Sequence, residues 1–150
     1  MIQEGEKLPA FKLVGDDGKT YTNKDFAGEH LVLFIYPKDM TPGCTQEACD
    51  FRDNVSRISR KKAQVVGLSK LDEKSKKKFK EKHQLNFLLL ADPDQKYLNE
   101  LGLIKDKVMY GKKVKGIVRT TLLVGPSGKV EKLWSPVKIE GHVDEVLGAL

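Results

Sequence analysis

Two cysteines, Cys44 and Cys49, stand five positions apart in the stretch "IYPKDMTPGCTQEACDFRD", residues 35 to 53, and the chain has no others. A cysteine can attack as a thiolate, ligate a metal or join a disulfide, and position and spacing bear on each role. Thr41 followed by Pro42 reads as a helix start, with Thr41 as N-cap and Pro42 at the first helical position, where a missing N–H costs nothing. Cys44 then falls in the first turn, where unpaired N–H groups and the positive end of the helix dipole converge. Thiols at helix N-termini or beside cations have pKa values lowered from about 8.5 to between roughly 3.5 and 7.5.

At about 100° per residue, Ala48, Phe51, Val55 and Ile58 lie within roughly 40° of Cys44, which puts this sulfur in the middle of the buried stripe. Cys49 lies about 140° round the wheel and about 7.5 Å further along. In an intact helix the two Cα atoms are roughly 8 to 9 Å apart, beyond the about 7 Å that a disulfide tolerates. A bond between them requires local unwinding. The geometry alone leaves the plainer alternative open, that both are inert buried cysteines. A metal clip fits less well, because the two lack close pairing and His30, His83 and His142 are scattered. No Walker loop, G-x-G-x-x-G or H-E-x-x-H is present.

The elements that must hold this helix can be read from periodicity and turn residues. "FKLVGDDGKTYT" predicts a hairpin around Asp17-Gly18. "HLVLFIYP", ending at Pro37, and "AQVVGLS" predict strands buried on both faces, with the helix of residues 42 to 60 between them. A basic helix, the run "NFLLLAD", a short helix in "PDQKYLNELG", two strands in "KVKGIVRTTLLVGPSGKVEKLW" and a closing helix "HVDEVLGAL" follow. This alternation predicts an α/β fold, a mixed sheet covered on both sides, in one domain over residues 1–150.

Composition narrows the functional classes. The charge of +6 and pI near 9.2 raise a nucleic-acid reading, but much of the excess lies in "DEKSKKKFKEKHQ", where lysines mix with Asp72, Glu73 and Glu81 as on a solvated helix face. No recognised nucleic-acid motif accompanies it, so no nucleic-acid partner is expected. No run approaches the roughly 20 apolar residues of a membrane span. The start has no signal-peptide pattern, and the expected compartment is the cytoplasm, where thiols stay reduced. Asn54-Val55-Ser56 is then a chance match to a glycosylation acceptor.

The cysteine segment resembles the peroxiredoxins, and in particular the bacterioferritin comigratory protein (peroxiredoxin Q) subfamily. The pattern P-x-x-x-T-x-x-C is met by Pro37, Thr41 and Cys44, and "YPKDMTPGCTQEACDFRD" matches the subfamily almost residue for residue, second cysteine included. "MYGKKVKGIVRTTLLVGPSGKV" is similar to the family segment that supplies an arginine before a Thr or Ser in a strand, here Arg119. "LLLADPDQ" and the N-terminal "GEKLPAFKLVGDDGKTYTNKDFAGEHLVLFIYPKD" match as well. Leu122 and Gly125 stand where many relatives carry Phe and Asp, which bears on packing and not on chemistry.

The resemblance implies a thioredoxin-like fold, with a central mixed β-sheet, flanking helices and an N-terminal β-hairpin. It implies a thiol peroxidase without a cofactor that reduces hydrogen peroxide and organic hydroperoxides. Cys44 would be the peroxidatic cysteine and Cys49 the resolving one, joined transiently as a disulfide that thioredoxin or a similar dithiol protein reduces. Arg119, Thr41 and the N–H groups of Gly43 and Cys44 would bind the peroxide, and Pro37 would shield the thiolate. Relatives in the subfamily are often monomers, and by analogy so would this chain be. The rivals are a thiol–disulfide oxidoreductase, which would usually carry the C-x-x-C absent here, and a basic nucleic-acid-binding module.

Overall fold

The computed structural model describes residues 1–150, the side chain of Met109 excepted. β1 (Lys12–Gly15) and β2 (Thr20–Thr22) form the expected hairpin, turned through Gly18 at φ +79°, a left-handed conformation that favours glycine. β3 (His30–Ile35) is apolar and buried from Leu31 onward, as a strand covered on both faces must be. It leads into α1 (Pro42–Arg52) and α2 (Val55–Arg60), followed by β4 (Ala63–Ser69), α3 (Glu73–His83), β5 (Leu88–Ala91) and α4 (Lys96–Glu100). β6 (Ile104–Met109), β7 (Lys112–Ile117), β8 (Thr120–Val124), β9 (Val130–Trp134) and α5 (His142–Ala149) complete the chain.

Seven strands form one mixed sheet in the order β2-β1-β5-β4-β3-β8-β9. β3 pairs in parallel with β4 and β4 with β5, while β8 lies antiparallel on the other side of β3. Strand alternation sends Leu33, Ile35, Leu68 and Leu122 to one face, against Leu98 and Leu101. Val32, Phe34, Tyr36 and Leu89 go to the other, against Cys44, Ala48 and Phe51 of α1, Phe79 of α3 and Val146 of α5. The Phe34 and Phe51 rings stack with centroids 4.7 Å apart and fix α1 on the centre of the sheet.

Two expectations are corrected. The single helix over residues 42 to 60 is broken at Asp53–Asn54, because the Asn54 side chain donates to the Asp50 carbonyl at 2.8 Å and turns the chain. Val55 and Ile58 still pack on the α1 side of the sheet. The segment from Lys113 to Trp134 holds three strands rather than two. β7 leaves the main sheet and pairs antiparallel with β6, and the backbone breaks at Val118–Arg119 before β8 begins. Arg119 therefore precedes a strand instead of lying in one.

Candidate active site

α1 begins where its sequence predicts, with Thr41 extended at the N-cap (φ −81°, ψ 152°) and Pro42 at the start. The first backbone bond across the helix start runs from the Thr45 N–H to the Thr41 carbonyl, at 2.9 Å, so the N–H groups of Gly43 and Cys44 precede the ladder. Thr41 occupies the cap position without capping. Its hydroxyl donates backward to the Lys38 carbonyl at 2.8 Å and makes no bond to the first turn. The loop it closes includes Met40 at φ +67°, a left-handed conformation uncommon for a non-glycine residue and held only where its surroundings fix it.

Cys44 is 1% exposed, packed with Tyr36, Ala48 and Phe51, and its sulfur receives Nη2 of Arg119 at 3.3 Å. Arg119 is brought from 75 residues away, and the Val137 N–H donating to its carbonyl at 2.9 Å fixes its backbone. Gly43 gives the guanidinium room, since a Cβ there would stand 3.3 Å from Nη2 and 3.4 Å from Ile139 Cδ1. Burial weakens the Arg119 charge, but Glu47 and then Cys44 outweigh it and hold its pKa above the ordinary value. Arg119 is thus not in a surface ion pair. It is a half-buried cation aimed at a sulfur.

Its second partner is a residue that sequence reasoning passed over. Glu47 is 1% exposed; Oε1 accepts Nη1 of Arg119 at 2.8 Å, and Oε2 has no partner among the described residues. Burial pushes this carboxyl up to about 7 in spite of Arg119, which pulls the other way. A signal was available: Glu47 lies only about 60° from Cys44 on the helix wheel, a carboxylate on an apolar stripe.

Pro37 ends β3 after the Tyr36 N–H has paired with the Leu68 carbonyl, and it is half-buried. Cys49, half-buried on a different face of α1 from Cys44, is likewise a free thiol. Cys44, Arg119, Gly43 and Thr41 are therefore gathered at one helix start, while Cys49 stands more than a turn away.

The basic segment also differs from expectation. α3 exposes most of its lysines, but Lys76 is fully buried. Its ammonium donates to Asp39 Oδ2 at 3.3 Å and to Ser69 Oγ at 2.6 Å, and stands 5.4 Å from the centre of the Tyr36 ring. Burial draws the Lys76 pKa down against the pull of Asp39. Among the described residues no cluster of three or more potential metal ligands occurs, and no helix is long and apolar enough to cross a membrane.

Chemically, the arrangement offers a sulfur with a cation and helix-start amides beside it, suited to an anionic nucleophile and to charge developing on a departing oxygen. Residues 5–133 match the AhpC/TSA family. The chain is 44% identical over 149 residues to peroxiredoxin Bcp of Bacillus subtilis, covering 99% of this chain and 95% of that one. It is 36% identical over 149 residues to peroxiredoxin Bcp of Escherichia coli, at 99% and 96% coverage. A cysteine-to-serine mutant of PrxQ from Xylella fastidiosa superposes with a TM-score of 0.93 at 33% identity, covering 99% of this chain and 95% of that one. The bacterioferritin comigratory protein of Xanthomonas campestris, described for its alkyl peroxide reduction activity, gives a TM-score of 0.88 at 39% identity, with coverage of 93% and 88%.

Proposed function

The chain belongs to the AhpC/TSA family, in its peroxiredoxin Bcp branch, and from that footing we propose that Cys44 attacks the peroxide and Cys49 resolves the product. It is a thiol-dependent peroxidase with a thioredoxin fold. The observation that supports the division of roles is the Arg119 Nη2–Cys44 Sγ contact of 3.3 Å at the start of α1, a donor set that Cys49 lacks.

The Cys44 thiolate attacks the terminal oxygen of a hydroperoxide. The O–O bond breaks, its electron pair leaves with the second oxygen as alkoxide or hydroxide, and Cys44 becomes a sulfenic acid. The departing oxygen takes a proton from solvent, and its charge is met by Arg119 and by the amides of Gly43 and Cys44. The Thr41 proton is committed to the Lys38 carbonyl, so its oxygen lone pairs are what it presents to the peroxide O–H. Pro37 shapes the wall of this pocket. The first turns of α1 then unwind, the Cys49 sulfur displaces water from the sulfenic acid, and a 44–49 disulfide forms. A thioredoxin-like dithiol protein reduces it in the cytoplasm, where such reductants operate. Hydrogen peroxide and organic hydroperoxides are both substrates of this reading, and the working unit is a monomer of one domain.

Mass spectrometry after one equivalent of peroxide tests it, with a 44–49 disulfide as the expected product. Cys44→Ser should lose turnover while folded. Cys49→Ser should keep the first oxidation and lose recycling by thioredoxin. Recycling at the parent rate in Cys49→Ser, with thioredoxin as sole reductant, would remove Cys49 from the cycle.

A further inference from the structure

The mechanism above does not use the buried charges beneath the loop that enters α1. Asp39 is 2% exposed and accepts the Tyr36 hydroxyl on Oδ1, with Ser75 Oγ at 2.9 Å and Lys76 Nζ at 3.3 Å on Oδ2. Lys76 donates in turn to Ser69 Oγ at the end of β4. One carboxylate thus ties the loop after β3 to both β4 and α3, through two charges that have left water completely. Such a pair holds only when its hydrogen bonds are satisfied, and here they are.

Its place along the chain gives it a consequence. Asp39 is followed by the left-handed Met40, then by Thr41, then by the first turn that carries Cys44. Met40 is 41% exposed, so its own side chain does little to enforce that conformation. Asp39 on one side and the Thr41–Lys38 bond on the other over-determine it. We propose that the Lys76–Asp39 pair is the fixed pivot of the catalytic cycle, with Lys76 a positioning residue that sets Thr41 and the amides of Gly43 and Cys44 for peroxide attack and keeps its own place when the first turns of α1 unwind and re-form. The proposal rests on the reading that Cys44 is oxidised and Cys49 resolves it. It separates two steps that use the same helix: oxidation needs the folded first turn, and disulfide formation needs that turn released. Loss of the pivot therefore slows the first step and spares or speeds the second.

Rapid-mixing single turnovers on the reduced full chain measure both rates. With Lys76→Met, the rate of oxidation by hydrogen peroxide should fall roughly 10- to 100-fold, the range expected when reacting groups are misplaced by about 1 Å. The rate of 44–49 bond formation from the sulfenic acid should stay the same or rise. Lys76→Met combined with Asp39→Asn should be no slower in oxidation than the worse single variant, because the pair acts as one unit. Should Lys76→Met not fold, Ser75→Ala removes one donor to Asp39 and no charge. A smaller loss of oxidation rate, with bond formation not slowed, is then expected. An unchanged oxidation rate in the folded variants, a proportional fall in both steps, or independent effects of the two charges would overturn the pivot. Mass spectrometry of each variant keeps the premise apart, since oxygen found first on a sulfur other than that of Cys44 defeats the assignment of roles instead.

Discussion

Cys44 and Glu47, three residues apart on α1, share one guanidinium: Nη2 of Arg119 lies 3.3 Å from the sulfur and Nη1 lies 2.8 Å from Glu47 Oε1. The planar fork spans one helical turn, so the carboxylate aims the cation at the sulfur, and the sulfur and carboxylate together hold it cationic. A peroxide entering beside Cys44 meets a donor whose direction is already set, and no reorganisation is needed as charge develops.

Arg119→Lys keeps the charge and loses the fork. A lysine reaches one acceptor at a time and cannot be aimed by Glu47 while it serves the sulfur. The second-order rate with hydrogen peroxide should fall about 10- to 100-fold, or roughly 1.4 to 2.7 kcal/mol in the barrier, in stopped-flow measurements. A rate within about twofold of the parent would show that charge alone suffices.

Glu47 makes stability depend on pH in a direction that can be worked out. Its carboxyl is raised from 4.5 to about 7 in the folded protein, chiefly by burial. Between those values the unfolded chain has released this proton and the folded chain has kept it, so stability falls as pH rises through the window and levels off above about 7. The contribution is about 3 kcal/mol across the window. Urea unfolding at a series of pH values should show this fall, and Glu47→Gln should flatten it. Equal slopes in parent and variant would mean that Glu47 is ionised throughout.

Gly43→Ala acts on both steps of the proposed cycle. Alanine favours helix over glycine by about 1 kcal/mol, which stiffens the turn that has to open. The new Cβ would also stand 3.3 Å from Arg119 Nη2 and press on it. Bond formation between Cys44 and Cys49 should slow roughly fivefold, the equivalent of about 1 kcal/mol. Hydrogen exchange across residues 42 to 52 should slow in the reduced protein. Faster bond formation would show that opening of this turn does not limit resolution.

What could be read from the chain was what is decided within a few residues. The Thr41-Pro42 start, the placement of Cys44 in the first turn and the buried stripe through Ala48 and Phe51 follow from local backbone chemistry and helix periodicity, and the structure has them. β3 and β4 were legible because strands covered on both faces must be apolar throughout. Arg119 was reached only through resemblance, since nothing local to "IVRTT" says that its side chain crosses 75 residues of sequence to a sulfur.

Tertiary structure alone decided where the polar groups found partners. Periodicity reports which face of a helix is apolar, but an ionic group can lie on that face when a counter-charge from another element meets it there. Glu47 and Lys76 are such groups, paired with Arg119 before β8 and with Asp39 after β3. The turn at Asn54 and the departure of β7 from the main sheet likewise depend on competition among hydrogen-bond partners that sequence spacing does not rank. Residue types and local spacing set the reactive sulfur at its helix start. The packing of distant strands and helices supplied the charges that surround it, because a buried charge is stable only where the fold delivers its partner.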